Sequence, residues 1–288
     1  MKRILKAAIL LLVLLMGLGC VSVFAASGAN GIFDFYEGMP PTTTDKYDID
    51  GDGKKDVVSY AYNEADFQSV LTVNGTQIMN WDFKTGKWAW VTVVDIKNKD
   101  YLEIEVDDWS ADTLTCGLYQ VRNNQLKKVL DYSSLFDKKQ LIKNDFADTI
   151  NACSFLEARK VKGNTIYVGG TLATKAVGQV NFDGLKLNYK NGKFKLDTSA
   201  VKAVSHMRSS SGKPASYFTA KKNIKVYKKA GSTTKAFKIK KGQKFKVTKI
   251  AVVKKQIYLR VRTKSGKLGW IKAGKSQLVT NPTPYTEE

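Results

Sequence analysis

Residues 48–56 read Asp-Ile-Asp-Gly-Asp-Gly-Lys-Lys-Asp, which places Asp48, Asp50, Asp52 and Asp56 within nine positions. Carboxylates this close repel one another unless a cation sits among them. Calcium takes about six to eight oxygen ligands at forgiving angles, and carboxylates at alternate loop positions supply them. Counted from Asp48, the aspartates stand at positions one, three, five and nine. Gly53 at six permits a sharp turn, and Lys54 at seven offers its carbonyl. The spacing predicts a Ca2+ site built from Asp48, Asp50, Asp52, the Lys54 carbonyl and Asp56, of the millimolar class usual in extracellular modules. An EF-hand would place Glu at the twelfth position and follow it with a helix. Ser59 stands there instead, and Val57-Val58-Ser59-Tyr60-Ala61-Tyr62 reads as a strand. The competing reading is a solvated acidic turn, since Asp and Gly favour turns in any case.

Other reactive groups are sparse. His206 is the sole histidine and lies in a Ser/Gly-rich stretch, which removes Ser-His-Asp and Cys-His sets and His-based zinc sites. Asp107-Asp108 beside Trp109 offers a carboxylate pair, but neighbours on a strand point to opposite faces and cannot flank one bond. A turn is the expected home for that pair. Trp81, Trp88, Trp90 and Trp109 form either a sugar-stacking platform or core, as such residues do more often. There is no Gly-rich phosphate loop. The expectation is a non-enzymatic protein.

The elements that must position the acidic loop are strands. VVSYAY (57–62), QSVLTV (68–73), WAWVTVV (88–94), YLEIEV (101–106), TLTCGLYQV (113–121), NTIYVGG (164–170) and LKLNYKNGKFKL (185–196) are rich in β-branched and aromatic residues. Asn74-Gly75 and Asn191-Gly192 mark hairpins. The alternation in LEIEV predicts one wet face, and WAWVTVV, apolar throughout, predicts a central buried strand. Residues 131–158 leave room for a short helix. Sliding the acidic motif forward by 47 residues lays DIKNKDYLE (95–103) over it, matching Asp95 to Asp48 and Glu103 to Asp56. Lys97 and Lys99 replace the middle carboxylates, so the second copy keeps the scaffold without the metal. A period in the forties suits four-stranded β units, but two copies do not close a propeller. The fold class is all-β, with a β-sandwich or partial-propeller-like domain over 26–200.

The first 25 residues carry Lys2, Arg3 and Lys6, an apolar run, and Val23-Phe24-Ala25 before Ala26, the pattern of a secretory signal peptide. A lipoprotein reading through Cys20 is disfavoured, because Gly17 stands where the lipobox wants Leu and the apolar run continues past Cys20. The remaining cysteines are Cys116 and Cys153, and a disulfide or two buried thiols both fit. Charge divides the chain. Residues 201–288 hold 23 Lys+Arg against Glu287 and Glu288, a net of +21, whereas 26–200 hold 21 basic and 24 acidic groups, a net of −3. Such asymmetry implies two domains with different partners, joined by a flexible linker over 201–215 and ending in a tail over 282–288.

Two resemblances follow from these motifs. The loop resembles the DxDxDGxxD calcium loops of FG-GAP and VCBS-type β repeats, which implies a structural ion pinning a loop between strands. Residues 216–281, through KKGQKFKV, YLRVR and SGKLGWI, are similar to the bacterial SH3-like (SH3b) domain, with Gly242, Gly266, Gly269 and Trp270 in the places its pattern wants. This implies a small barrel whose Gly-Trp closes the last hairpin, in a secreted protein tethered to peptidoglycan. A domain of net charge near +20 is drawn to polyanions independently of that resemblance. Wall polyanions or peptidoglycan are the expected partners, and nucleic acid is not. The reading is a secreted, cell-wall-associated protein with a calcium-stabilised β domain. The alternatives are a wall hydrolase or its accessory, and a carbohydrate-binding protein.

Overall fold

The computed structural model describes residues 31–35, 42–63, 68–82, 87–96, 99–108, 113–142, 156–204 and 217–283. The expected signal peptide, Cys20, Trp109, Cys153 and His206 lie outside them. Strand β1 (Ile32–Phe35) is followed by three successive four-stranded antiparallel meanders. The first comprises β2 (Thr42–Tyr47), β3 (Asp56–Asn63), β4 (Gln68–Val73) and β5 (Thr76–Asp82). The second comprises β6 (Lys87–Ile96), β7 (Lys99–Asp108), β8 (Thr113–Arg122) and β9 (Gln125–Asp131), with β1 added along β6. The third comprises β10 (Glu157–Lys162), β11 (Thr165–Thr174), β12 (Gly178–Lys190) and β13 (Lys193–Leu196). Two copies of the unit are legible in the sequence; the fold has three.

The hairpins fall where the Asn-Gly pairs lie: Asn74 and Gly75 have φ of 51° and 76°, and Asn191 and Gly192 have 52° and 76°, as type I′ turns require. The second meander is the middle layer, with both faces buried. One face, with Val91, Val93, Leu102 and Ile104, shares a core with Ile49, Val58 and Leu71 of the first meander. The other, with Val94, Ile96, Tyr101 and Leu118, shares a core with Leu172, Val180 and Leu187 of the third. This corrects the wet face expected for LEIEV. Glu103 is 5% exposed because Tyr132 Oη donates to its carboxylate and Ala158 N–H donates to both its oxygens at 3.0 Å. In WAWVTVV, Ala89, Val91, Val93 and Val94 are buried as expected, but Trp90 is 41% exposed.

Of the range 131–158 that left room for a short helix, residues 132–142 hold two 3-10 turns, Tyr132–Leu135 and Lys138–Gln140, and 143–155 lie outside the described residues. Cys116 is buried, with Sγ 2.9 Å from the Leu156 carbonyl oxygen. Asp107-Asp108 end β7 and do not sit in a turn. No helix among the described residues is long and apolar enough to cross a membrane.

The basic segment contributes β15 (Phe218–Thr219), β16 (Ile224–Tyr227), β17 (Lys235–Ile239), β18 (Lys244–Val253), β19 (Gln256–Thr263) and β20 (Leu268–Lys272). Their ladders run β18-β19-β20-β16-β17, with β15 on β18. No strand pairing joins the ends of this sheet among the described residues, so the expected barrel is not closed. The linker expected over 201–215 is corrected at its start, because Val201–Val204 form β14, while 205–215 lie outside the described residues. This strand pairs with β12 at Asn181 and Phe182, and with β18 at Lys249 and Ile250. The third meander and the basic module thereby become one sheet with one hydrophobic core.

Polar contacts lock the same junction. Asp137 N–H donates to Lys255 O at 2.7 Å, and Gln140 Oε1 accepts from Ile257 N–H at 2.7 Å while its Nε2 donates to Ile257 O at 3.5 Å. The chain end returns to the third meander, where Thr283 bridges Gly178 in parallel. Any Cβ on Gly178 would lie 2.0 Å from Thr283 O, so this crossing demands glycine. Gln140 is 1% exposed. Gln140→Ala, by leaving Ile257 N–H unpaired in the core, is expected to cost about 1–3 kcal/mol in urea denaturation. The body and module should still unfold in a single transition.

Candidate functional site

The acidic loop leaves β2 at Tyr47 and enters β3 at Asp56, so two paired strands fix its ends. Asp56 is buried and organises the loop: Oδ2 accepts from Ile49 N–H at 2.6 Å and Asp50 N–H at 3.0 Å, and Oδ1 accepts from Asn74 Nδ2 at 2.6 Å. Asp48 accepts from Gly51 N–H at 2.7 Å and Gly53 N–H at 3.0 Å. Ligand oxygens of Asp48, Asp50 and Asp56 lie within 4.8 Å of one another. Asp52 is not among them. It is exposed, and its Oδ1 takes the Lys54 N–H at 2.7 Å. The structure thus gathers three of the four expected carboxylates.

More negative charge is held against the loop by its sequence echo. Asp100 Oδ2 accepts from Asp48 N–H at 2.8 Å, and Asp95 faces Asp100 across the β6–β7 ladder. Burial, with Asp95 alongside, pushes the Asp100 carboxyl up to about 6, although Asp48 N–H and Lys55 oppose the rise. The Lys55 ammonium is 3.9 Å from Asp100. The echo differs in register from the 47-residue overlay. Asp100, not Glu103, stands near the start of β7 as Asp56 does at the start of β3, while Glu103 is the clamp to the third meander. Ile96 and Lys99 pair directly, so the second unit has no room for a nine-residue loop.

In the basic module, residues 217–283 hold 20 Lys+Arg and no acid. Two tight connections, 240–243 and 263–267, come together around a cleft of about 580 Å³ lined by Phe237, Lys238, Lys240, Lys244, Lys264 and Lys267. Hydroxyls of Thr263 and Ser265, 3.0 Å apart, lie on the same wall. Tyr217 extends this surface: Lys246 Nζ is 4.7 Å and Lys264 Nζ 5.7 Å from its ring centroid, within cation–π range. Sequence reading finds the charge but not this cleft, whose two turns are separated by β18 and β19.

The Gly-Trp dipeptide has a physical reason other than turn closure. Gly269 lies inside β20, opposite Val261, where a Cβ would come within 2.5 Å of Val226 Cγ1 and 2.9 Å of Tyr227 O. Glycine lets β16 cross β20 at contact distance, and Trp270 then pairs with Tyr227 and Arg260. A family model for the GW (Gly-Tryp) dipeptide domain matches residues 210–275. No curated protein and no solved structure matches the chain.

The tryptophan platform reduces to Trp90 among the side chains described, because those of Trp81, Trp88 and Trp109 lie outside them. Asp56→Ala is expected to cost about 2–4 kcal/mol in chemical denaturation without added metal, since it strands two N–H groups and the Asn74 amide. Asp52→Ala, losing one exposed contact, should change stability by less than about 0.5 kcal/mol.

Proposed function

We propose that this is a secreted envelope protein whose basic module holds a β-layered body at the bacterial cell wall. The observation that carries this reading is the five-lysine cleft in a module without a single acid, within the segment that matches the GW domain. GW and SH3-like modules are wall-binding units of bacterial surface proteins, and the cleft offers their electrostatic means. Ammonium groups around a cleft attract phosphate-bearing wall polymers over a Debye length of about 8 Å at physiological salt. Lysine heads on flexible stems tolerate a repeating, irregular ligand, where bidentate arginines would demand fixed geometry. The role is binding, with no reaction assigned to the body.

The acidic loop fits a Ca2+ ion in this setting. Asp48, Asp50 and Asp56 would hold it, with the Lys54 carbonyl and Asp52 as the remaining candidates, and the ion would offset the charge that Asp95 and Asp100 add nearby. Its contribution is structural: it would pin the β2–β3 connection, whose Ile49 is fully buried against the second meander.

Two measurements test this reading. Full-length protein should pellet with purified Gram-positive cell walls at low salt. The K238Q/K240Q/K264Q/K267Q variant should lose about tenfold or more in affinity, because several exposed pairs each contribute up to about 1 kcal/mol. The body control K160Q/K162Q should pellet like the parent. Equal pelleting by all three would remove the cleft from the account. For the loop, 10 mM Ca2+ acting on a site with a dissociation constant near 1 mM contributes about 1.4 kcal/mol. That predicts a rise of roughly 3–5 °C in melting temperature, reversed by EDTA and absent in D48N/D50N.

A further inference from the structure

Where the chain end crosses Gly178, the third meander and the basic module leave a second cleft, of about 390 Å³, separate from the five-lysine cleft. Lys175 and Thr174 line it from the meander; Lys275, Ser276, Gln277 and Thr283 line it from the module and tail. No carboxylate lines it among the described residues. Lys222 Nζ donates to Ser276 Oγ at 2.9 Å and brings a third ammonium to the rim. Lys275 also acts electrostatically on Asp137. The Asp137 carboxyl is held below the usual range chiefly by the Gln256 hydrogen bond, with Lys139 and Lys275 adding to the effect.

Thr283 singles this cleft out. The residue is 7% exposed, its N–H is bonded to Val177 O at 2.9 Å, and its Oγ1 has no hydrogen-bond partner among the described residues. Folded proteins satisfy nearly all buried polar atoms, and each exception calls for a cause. The neighbouring Thr174 hydroxyl is committed, donating to Gly178 O at 3.1 Å. Thr283 therefore offers an uncommitted hydroxyl in a cleft that Lys175 lines from the meander and Lys275 from the module.

We propose that this junction cleft binds a phosphoryl group, with Lys175 and Lys275 supplying charge and Thr283 Oγ1 donating a hydrogen bond. Three donors from different directions suit a tetrahedral anion with several oxygens better than a flat carboxylate with two. The ligand would cross-link meander and module at the seam already held by β14 and the Gly178–Thr283 bridge. This goes beyond the wall-binding reading and stands or falls apart from it.

Calorimetric titration of the full-length protein tests it, with inorganic phosphate and dimethyl phosphate as probes, against chloride at matched ionic strength. Saturable binding is expected, weakened at least tenfold in K175Q/K275Q and severalfold in T283V, and unchanged in the body control K160Q/K162Q. T283V should also melt at or above the parent temperature in phosphate-free buffer, since it removes an unpaired buried hydroxyl, so this variant carries the test if the double variant folds poorly. Binding of inorganic phosphate alone identifies the free ion as ligand; equal binding of dimethyl phosphate identifies a polymer phosphodiester. Absence of saturable binding by either probe overturns the proposal. So does binding that K175Q/K275Q and T283V leave intact, or that K160Q/K162Q abolishes.

Discussion

Ala203 and Val204 pair with Phe182 and Asn181, and two residues earlier Val201 and Lys202 pair with Ile250 and Lys249. This four-residue strand is the join on which the rest depends. It makes the basic module a continuation of the third meander, and it brings Phe218, Phe245 and Ile257 into the same core as Leu172 and Val180. A module of 20 cations would otherwise swing on a polar tether and carry the body with it only loosely. Fixed by β14, by Gln140 and by the Gly178–Thr283 crossing, it presents its lysines in one orientation relative to the body. Attachment to a surface through that module would orient the body as well as localise it.

The body has its own constraint. Its layers are packed face to face, so polar groups buried between or beside them must find partners inside the protein. Glu103 finds Tyr132 and Ala158; Asp56 finds the backbone of its own loop and Asn74. These two carboxylates do related work at different places. Asp56 fastens the β2–β3 connection within the first meander, and Glu103 fastens the second meander to the third.

Much of this was legible in the sequence because the signals are local. Asn74-Gly75 and Asn191-Gly192 carry their turn geometry with them, and the strand segments carry their alternation. The convergence of Asp48, Asp50 and Asp56 follows from spacing along one loop. What was hidden depends on partners distant in the chain. Glu103 reads as solvent-facing until Tyr132 and Ala158, 29 and 55 positions away, are brought to it. Val-Lys-Ala-Val at 201–204 reads as the start of a linker because four residues beside a Ser/Gly run show no periodicity, and only β12 and β18 make it a strand. The third meander lacks an acidic loop to align with the first, so the repeat went unseen. Gly269 belongs to a recognisable motif, but the reason for it, the close approach of Val226 and Tyr227, exists only in three dimensions.

The central claim is that wall attachment is electrostatic and resides in a rigidly mounted basic module. The most direct test is the affinity of full-length protein for purified cell walls measured across about 50–500 mM NaCl at constant pH. Because screening shortens the reach of exposed charge, the account predicts affinity that falls steeply and continuously with salt, by at least tenfold across the range. Affinity that stays level across it would contradict the account and point to recognition of an uncharged wall component.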